Sequence, residues 1–150
     1  MDDQRWMRLA LALGARGLGQ TWPNPAVGCV VVSGGRIVGR GWTQEGGRPH
    51  AEARALDQAG TRARSSTIYV TLEPCAHQST RGAACSDLLA AASPARIVIA
   101  SQDPEPRTAG KGAAHLEQVG IAVETGLMAS EARDAMAGFF CRQEQDRPFV

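Results

Sequence analysis

Four residues of the 150-residue chain have the types and spacing of a hydrolytic metal centre: His50, Glu52, Cys75 and Cys85. Imidazole and thiolate are ligands suited to zinc, and each of the three stands at the end of an expected element. His50 opens a helix, Cys75 follows a strand, and Cys85 opens the next helix. A helix N-terminus carries unpaired amides and partial positive charge, so Cys85 is expected to be a thiolate and a good ligand. Glu52, two residues after His50 in the same first turn, adds a carboxylate beside the metal without having to bind it. Zinc held by three protein ligands keeps a fourth position for water and lowers the pKa of that water from about 16 to about 7. Glu52 can then carry its proton. A second arrangement stays open, in which His77 or Cys29 completes four protein ligands and the zinc is structural. Such a site would hold metal tightly, show no hydrolysis and leave Glu52 without a task.

The elements that position these residues follow from periodicity. From about Asp3 to Gly17, Trp6, Ala10, Leu13 and Gly17 recur at helical spacing. AVGCVVV, the turn at Ser33 to Gly35, and RIVGRGW form a β-hairpin pattern. HAEARALDQAG reads as a helix stopped by Gly60, and STIYVTL as a strand. After an irregular stretch from Glu73 to Ala84 come the helix CSDLLAAAS and the strand ARIVIAS. A turn-rich loop, a helix at Ala113 to Val119 and the strand IAVET follow, then one final helix, ASEARDAMAGFFCRQ, capped by Ser130. Alternating strands and helices behind an opening hairpin predict an α/β fold, a three-layer α/β/α sandwich with a mixed central sheet. Cys29 in a Val-rich strand and Cys141 beside two Phe residues are expected in the core, and His115 on the surface.

Composition narrows the function classes. Sixteen basic against fifteen acidic residues leave a net charge of +1, too little for a nucleic-acid-binding face. The basic set contains a single lysine, Lys111, which disfavours Schiff-base chemistry. No apolar run approaches the roughly 18 residues that span a bilayer, and the opening segment starts with Asp2 and Asp3 rather than a basic leader. A cytoplasmic protein without membrane or nucleic-acid partners is expected. Four scattered cysteines do not make a disulfide framework.

HAE at His50 to Glu52 and EPC at Glu73 to Cys75 match the signature of zinc-dependent base deaminases. The separation of Cys75 from Cys85 by AHQSTRGAA is longer than the two to four residues usual in nucleoside, tRNA and single-strand deaminases. With PNPAVGCVVV, GRPHAEARAL, YVTLEPCAH and QDPEP in order, the chain resembles the deaminase domain of the bifunctional riboflavin-biosynthesis deaminase and reductase, a branch of the cytidine-deaminase-like superfamily. The resemblance implies hydrolytic deamination of a diaminohydroxyphosphoribosylaminopyrimidine to the corresponding uracil, with Zn2+ on His50, Cys75 and Cys85 and Glu52 as proton shuttle. It implies that Asn24, the only asparagine, meets the pyrimidine. It implies that His77 and Asp103 line the pocket and that Arg81 meets the phosphate.

The chain departs from the family at three places. STRGAA stands in a ligand loop one residue longer than the family's usual one, and Thr43 where many relatives have His, so that a ribose or base contact is either lost or replaced by the hydroxyl. The deaminase domain is expected to occupy residues 1–146, and RPFV resembles the first strand of a reductase domain absent from this chain. The apolar stub at Phe149 and Val150 invites contact, and relatives associate, so a homo-oligomer is an expectation. Guanine, cytidine and tRNA adenosine are the competing deaminase substrates; charge balance disfavours the tRNA, and the long loop favours the phosphorylated pyrimidine. Trp22, next to the Asn24 turn, is the one tryptophan given a functional reading.

Overall fold

The β-branched runs of the chain become a single mixed sheet. A computed structural model describes residues 2–76, 84–105 and 109–145; His77, Arg81 and the stub at 147–150 lie outside them. The elements are α1 (Asp3–Ala15), β1 (Gly28–Ser33), β2 (Arg36–Trp42), α2 (Ala51–Ala59), β3 (Thr67–Leu72), α3 (Cys85–Ala92), β4 (Arg96–Ser101), α4 (Lys111–Gln118), β5 (Ala122–Thr125), α5 (Ala129–Ala135) and α6 (Ala137–Gln145). The strands lie in the order β2-β1-β3-β4-β5. β1 runs antiparallel to both β2 and β3, whereas β3, β4 and β5 are parallel. The hairpin turn uses Gly34 and Gly35 at φ 59° and 76°, the left-handed pair a two-residue connection requires.

Helices α1 and α5 pack on one face and α2, α3 and α4 on the other. The predicted three-layer sandwich is therefore present. β1, β3 and β4 are covered on both faces, which is why they read as nearly continuous apolar runs rather than as alternating ones. α1 starts at the Asp2 cap, whose side chain accepts the Arg5 N–H, and buries Trp6, Met7, Ala10 and Leu13. Asp3 anchors its first turn to the sheet by accepting from Tyr69 Oη at 2.6 Å and pairing with Arg96.

The packing of α2 on β2 decides where His50 and Glu52 stand. The helix presents Ala51, Ala55 and Ala59 at four-residue spacing, all buried, toward Gly39 and Gly41 of the strand. A Cβ at Gly39 would sit 2.2 Å from the Ala55 carbonyl oxygen, and one at Gly41 2.6 Å from that of Ala51. Small residues on both sides bring helix backbone against strand backbone. No other side chain fits between them.

Three expectations are corrected. The final helix is two, α5 and α6, broken at Met136 with φ −112° and ψ 31°. Beyond the break α6 brings Phe139 and Arg142 to the cleft, and Gly138 just past it does little to hold one continuous helix. Ser130 lies inside α5 and does not cap it; Met128, in the left-handed region at φ 59°, is the N-cap and supplies no side-chain bond. Cys29 is fully buried as expected, but Cys141 is only half-buried on α6. His115 is on the surface, 3.1 Å from Asp87.

Gly41→Ala is expected to lower stability by about 1 to 3 kcal/mol, because a methyl group forces α2 off β2. Denaturant unfolding measures it. An unchanged midpoint would mean that the helix and strand separate without cost.

Candidate active site

Three element ends converge beyond the carboxyl end of β3, the middle strand of the sheet. His50 is the N-cap residue of α2 but makes no capping bond with its side chain, which leaves the imidazole to face α3. Its Nδ1 lies 3.2 Å from Cys85 Sγ. Cys75 follows β3, and the first amide of α3, that of Cys85, donates to Cys75 Sγ at 3.1 Å. The next amide, of Ser86, donates to the Cys75 carbonyl at 3.0 Å. The helix terminus thus holds the second cysteine by both its sulfur and its backbone.

The ligand atoms of His50, Cys75 and Cys85 all lie within 4.8 Å of one another. Zinc bonds of about 2.3 Å to sulfur and about 2.0 Å to nitrogen, at tetrahedral angles, place such atoms about 3.5 to 3.8 Å apart. One imidazole nitrogen and two thiolate sulfurs at these separations fit zinc. Among the described residues the cluster has three members, and Cys29 is not one of them.

The amide at the start of α3 serves Cys75 as well as placing Cys85, because it donates to the Cys75 sulfur. A residue's own amide points away from its side chain, so the N-terminus of α3 serves the neighbour it faces. The Cys85 thiol donates to Cys75, and His50 adds its own hydrogen bond, holding Cys75 down at about 4 against the effect of burial. Cys85, the donor in that pair and itself buried, is pushed up. His50 is raised, chiefly by its hydrogen bond to Cys75. Cysteine ligands bind zinc as thiolates, so metal uptake at such a cluster is coupled to proton release.

Glu52 sits in the first turn of α2 at 4% exposure, on the wall of a cleft of about 370 Å³ that His50 and Cys75 also line. Burial raises its carboxyl to about 7, with the nearby His50 charge pulling the other way. That places the proton affinity of Glu52 close to neutrality, where a general acid and base is most effective. Opposite stands the turn Pro23, Asn24, Pro25. The Asn24 side-chain amide donates to the Gly47 carbonyl at 2.9 Å, which fixes its rotation on the cleft wall. Asp103 lines the same cleft, accepts the Glu105 N–H at 2.8 Å, and is raised to about 6 by burial.

Of the residues singled out in the sequence, His50, Glu52, Cys75, Asn24 and Asp103 line this cleft, and Cys85 joins through His50 and Cys75. Thr43 lines it too, but its hydroxyl oxygen already accepts the Val27 N–H at 2.9 Å and the residue is 2% exposed. It is a brace between β1 and the end of β2 in addition to a cleft residue. Trp22 does not line the cleft; it is 72% exposed beside a neighbouring groove, with the Arg142 guanidinium 4.2 Å from its ring centroid. Arg142 also donates to the Pro23 carbonyl, so α6 clasps the turn that carries Asn24.

Sequence reasoning missed Arg48, Glu73, Phe139 and Arg142, all cleft residues. Glu73 carried a signal, its place two residues before Cys75, that went unused. Phe139 and Arg142 had none, because only the break before α6 brings them to the site.

With the geometry in place, the similarities of the chain are informative. Residues 1–101 match the family described as the cytidine and deoxycytidylate deaminase zinc-binding region. The riboflavin biosynthesis protein RibD of Escherichia coli is 49% identical over the whole chain, which spans 41% of that protein. The diaminohydroxyphosphoribosylamino-pyrimidine deaminase of Buchnera aphidicola from Schizaphis graminum is 41% identical, and the match covers 99% of this chain and all of that protein. A structure of Acinetobacter baumannii RibD superposes with a TM-score of 0.94 at 44% identity, covering 99% of this chain and 42% of that one. The chain belongs to the cytidine and deoxycytidylate deaminase zinc-binding family, on its riboflavin-biosynthesis deaminase branch.

Proposed function

We propose that this chain deaminates diaminohydroxyphosphoribosylaminopyrimidine, replacing a ring amino group by a carbonyl oxygen from water and releasing ammonia. The observation that carries the reading is the placing of Glu52 beside a His-Cys-Cys cluster and open to a cleft large enough for a pyrimidine. A structural zinc site closed by four protein ligands would not need a buried carboxylate in that position. The match over the full length of a Buchnera deaminase supports assigning the activity to residues 1–146, without a reductase domain.

When bound by His50, Cys75 and Cys85, zinc supplies a Lewis acid and water activated at neutral pH. Glu52 takes a proton from the attacking water and delivers it to the ring nitrogen. It then carries the second proton to the amino group, which departs as ammonia as the carbonyl forms. A carboxyl near neutrality can do both transfers in turn. Asn24, its NH2 group held by Gly47, offers an acceptor to a donor edge of the pyrimidine. Asp103 borders the same substrate position. His77 and Arg81 lie outside the described residues; in this reading His77 lines the substrate pocket and Arg81 meets the phosphate.

Three outcomes test this function. The zinc-loaded chain is expected to release ammonia from the phosphoribosylaminopyrimidine and not from cytidine or guanine in the same assay; release from either of those instead would transfer the activity to another deaminase class. Glu52→Gln keeps the shape and hydrogen-bonding reach of the side chain but cannot shuttle a proton, so kcat should fall by roughly 10²- to 10⁴-fold with zinc content unchanged. Near wild-type turnover would remove Glu52 from the chemistry. Cys75→Ser should weaken zinc binding by more than the roughly 10- to 100-fold that losing an outer partner costs, and lower stability with it. Full zinc occupancy of that variant, read by metal analysis after dialysis, would remove Cys75 from the site.

A further inference from the structure

Glu73 is a charged side chain at 4% exposure, and no basic residue is hydrogen-bonded to it among the described residues. Its partners are backbone amides. Oε1 accepts from the N–H of Asp103 at 3.2 Å and of Gly110 at 3.0 Å, and Oε2 from that of Ala113 at 3.0 Å. These donors come from the segment after β4 and from the first turn of α4, whose N-terminal amides have no partners within the helix. One carboxylate oxygen thus joins the two ends of the segment from Asp103 to Gly110. The other ties that segment to α4. The fit is close: the Gly112 position of α4 would put a Cβ 2.1 Å from the Pro74 carbonyl oxygen.

The same residue is linked by its own backbone to β4, since the Glu73 N–H donates to the Ser101 carbonyl at 2.8 Å. Two residues later the chain reaches Cys75. Glu73 therefore stands between a metal ligand on one side and the cleft-lining Asp103 on the other, and three donors converge on a group that can only accept.

We propose that Glu73 is a positioning residue for the deamination, holding the backbone of Asp103 so that its carboxyl borders the substrate at a fixed distance from the Cys75 end of the site. The role rests on the deaminase function proposed above. It is served by geometry rather than by contact with the reacting atoms. Glutamine at this position has the same shape but turns an NH2 group toward at least one N–H donor, so the clasp opens. Aspartate keeps the charge and lacks a methylene of reach.

The test compares the zinc-loaded wild type with Glu73→Gln, Asp103→Asn and the double variant, measuring KM and kcat for ammonia release from the phosphoribosylaminopyrimidine, zinc content, and hydrogen exchange at Asp103, Gly110 and Ala113. In Glu73→Gln, KM should rise about 5- to 20-fold, kcat should change by less than about threefold, and exchange of those three amides should quicken at unchanged zinc content. The double variant should be no worse than Asp103→Asn alone, because both changes act on one contact. Glu73→Asp should show the same rise in KM, and provides the reading if the glutamine variant does not fold. An unchanged KM in a variant whose amides exchange faster, or effects of the two substitutions that multiply, would overturn the role while leaving the deaminase function intact. A wild-type chain that releases no ammonia would overturn the function and this role together.

Discussion

The site depends on one contact between the ends of two elements: the first amide of α3 pointing at the sulfur of Cys75. It brings the end of β3 and the start of α3 within a hydrogen bond of each other, across a long intervening segment. It also places a backbone donor on the Cys75 sulfur, which favours the thiolate that a metal would bind. His50 completes the cluster because α2 is pressed onto β2 by an alanine stripe on a glycine pair. The metal-binding geometry is thus set by backbone positions. Side-chain packing around the ligands comes second.

The cleft adds a second constraint, the burial of acid groups. Glu52 and Asp103 both face it and both are raised by burial, while Glu73, equally buried, is satisfied by three amides. These are three different uses of a carboxyl group in one small volume. Glu52 is the proposed proton carrier, Asp103 lines the cleft, and Glu73 holds backbone. Their environments separate them, since the residue types do not. The turn bearing Asn24 closes the far side and is clasped by α6 through Arg142.

Much of this was legible in the residues. The β-branched runs and the glycine turn predicted the sheet, including its mixed character, because strands buried on both faces and a two-residue hairpin leave strong local patterns. HAE and EPC marked His50, Glu52 and Cys75, and Cys85 was marked by its place at the start of the next helix. What was not legible depended on contacts distant in sequence. The break between α5 and α6 leaves no mark in the pattern, because Ala132, Met136 and Phe140, all buried, keep their four-residue spacing straight through it. That the first amide of α3 meets the sulfur of Cys75 required knowing which side chain the helix terminus faces. Of the two readings open for Thr43, the structure adds that its hydroxyl oxygen is committed to the Val27 amide.

The central claim is a zinc centre with three protein ligands and one position left for water beside Glu52. X-ray absorption at the zinc edge of the purified, zinc-loaded chain tests it most directly. The account predicts one zinc per chain, two sulfur scatterers at about 2.3 Å and two nitrogen or oxygen scatterers at about 2.0 to 2.1 Å, one of them exchangeable with added anions. Three sulfur scatterers, or a coordination sphere with two imidazoles that no anion perturbs, would contradict it and make the site structural.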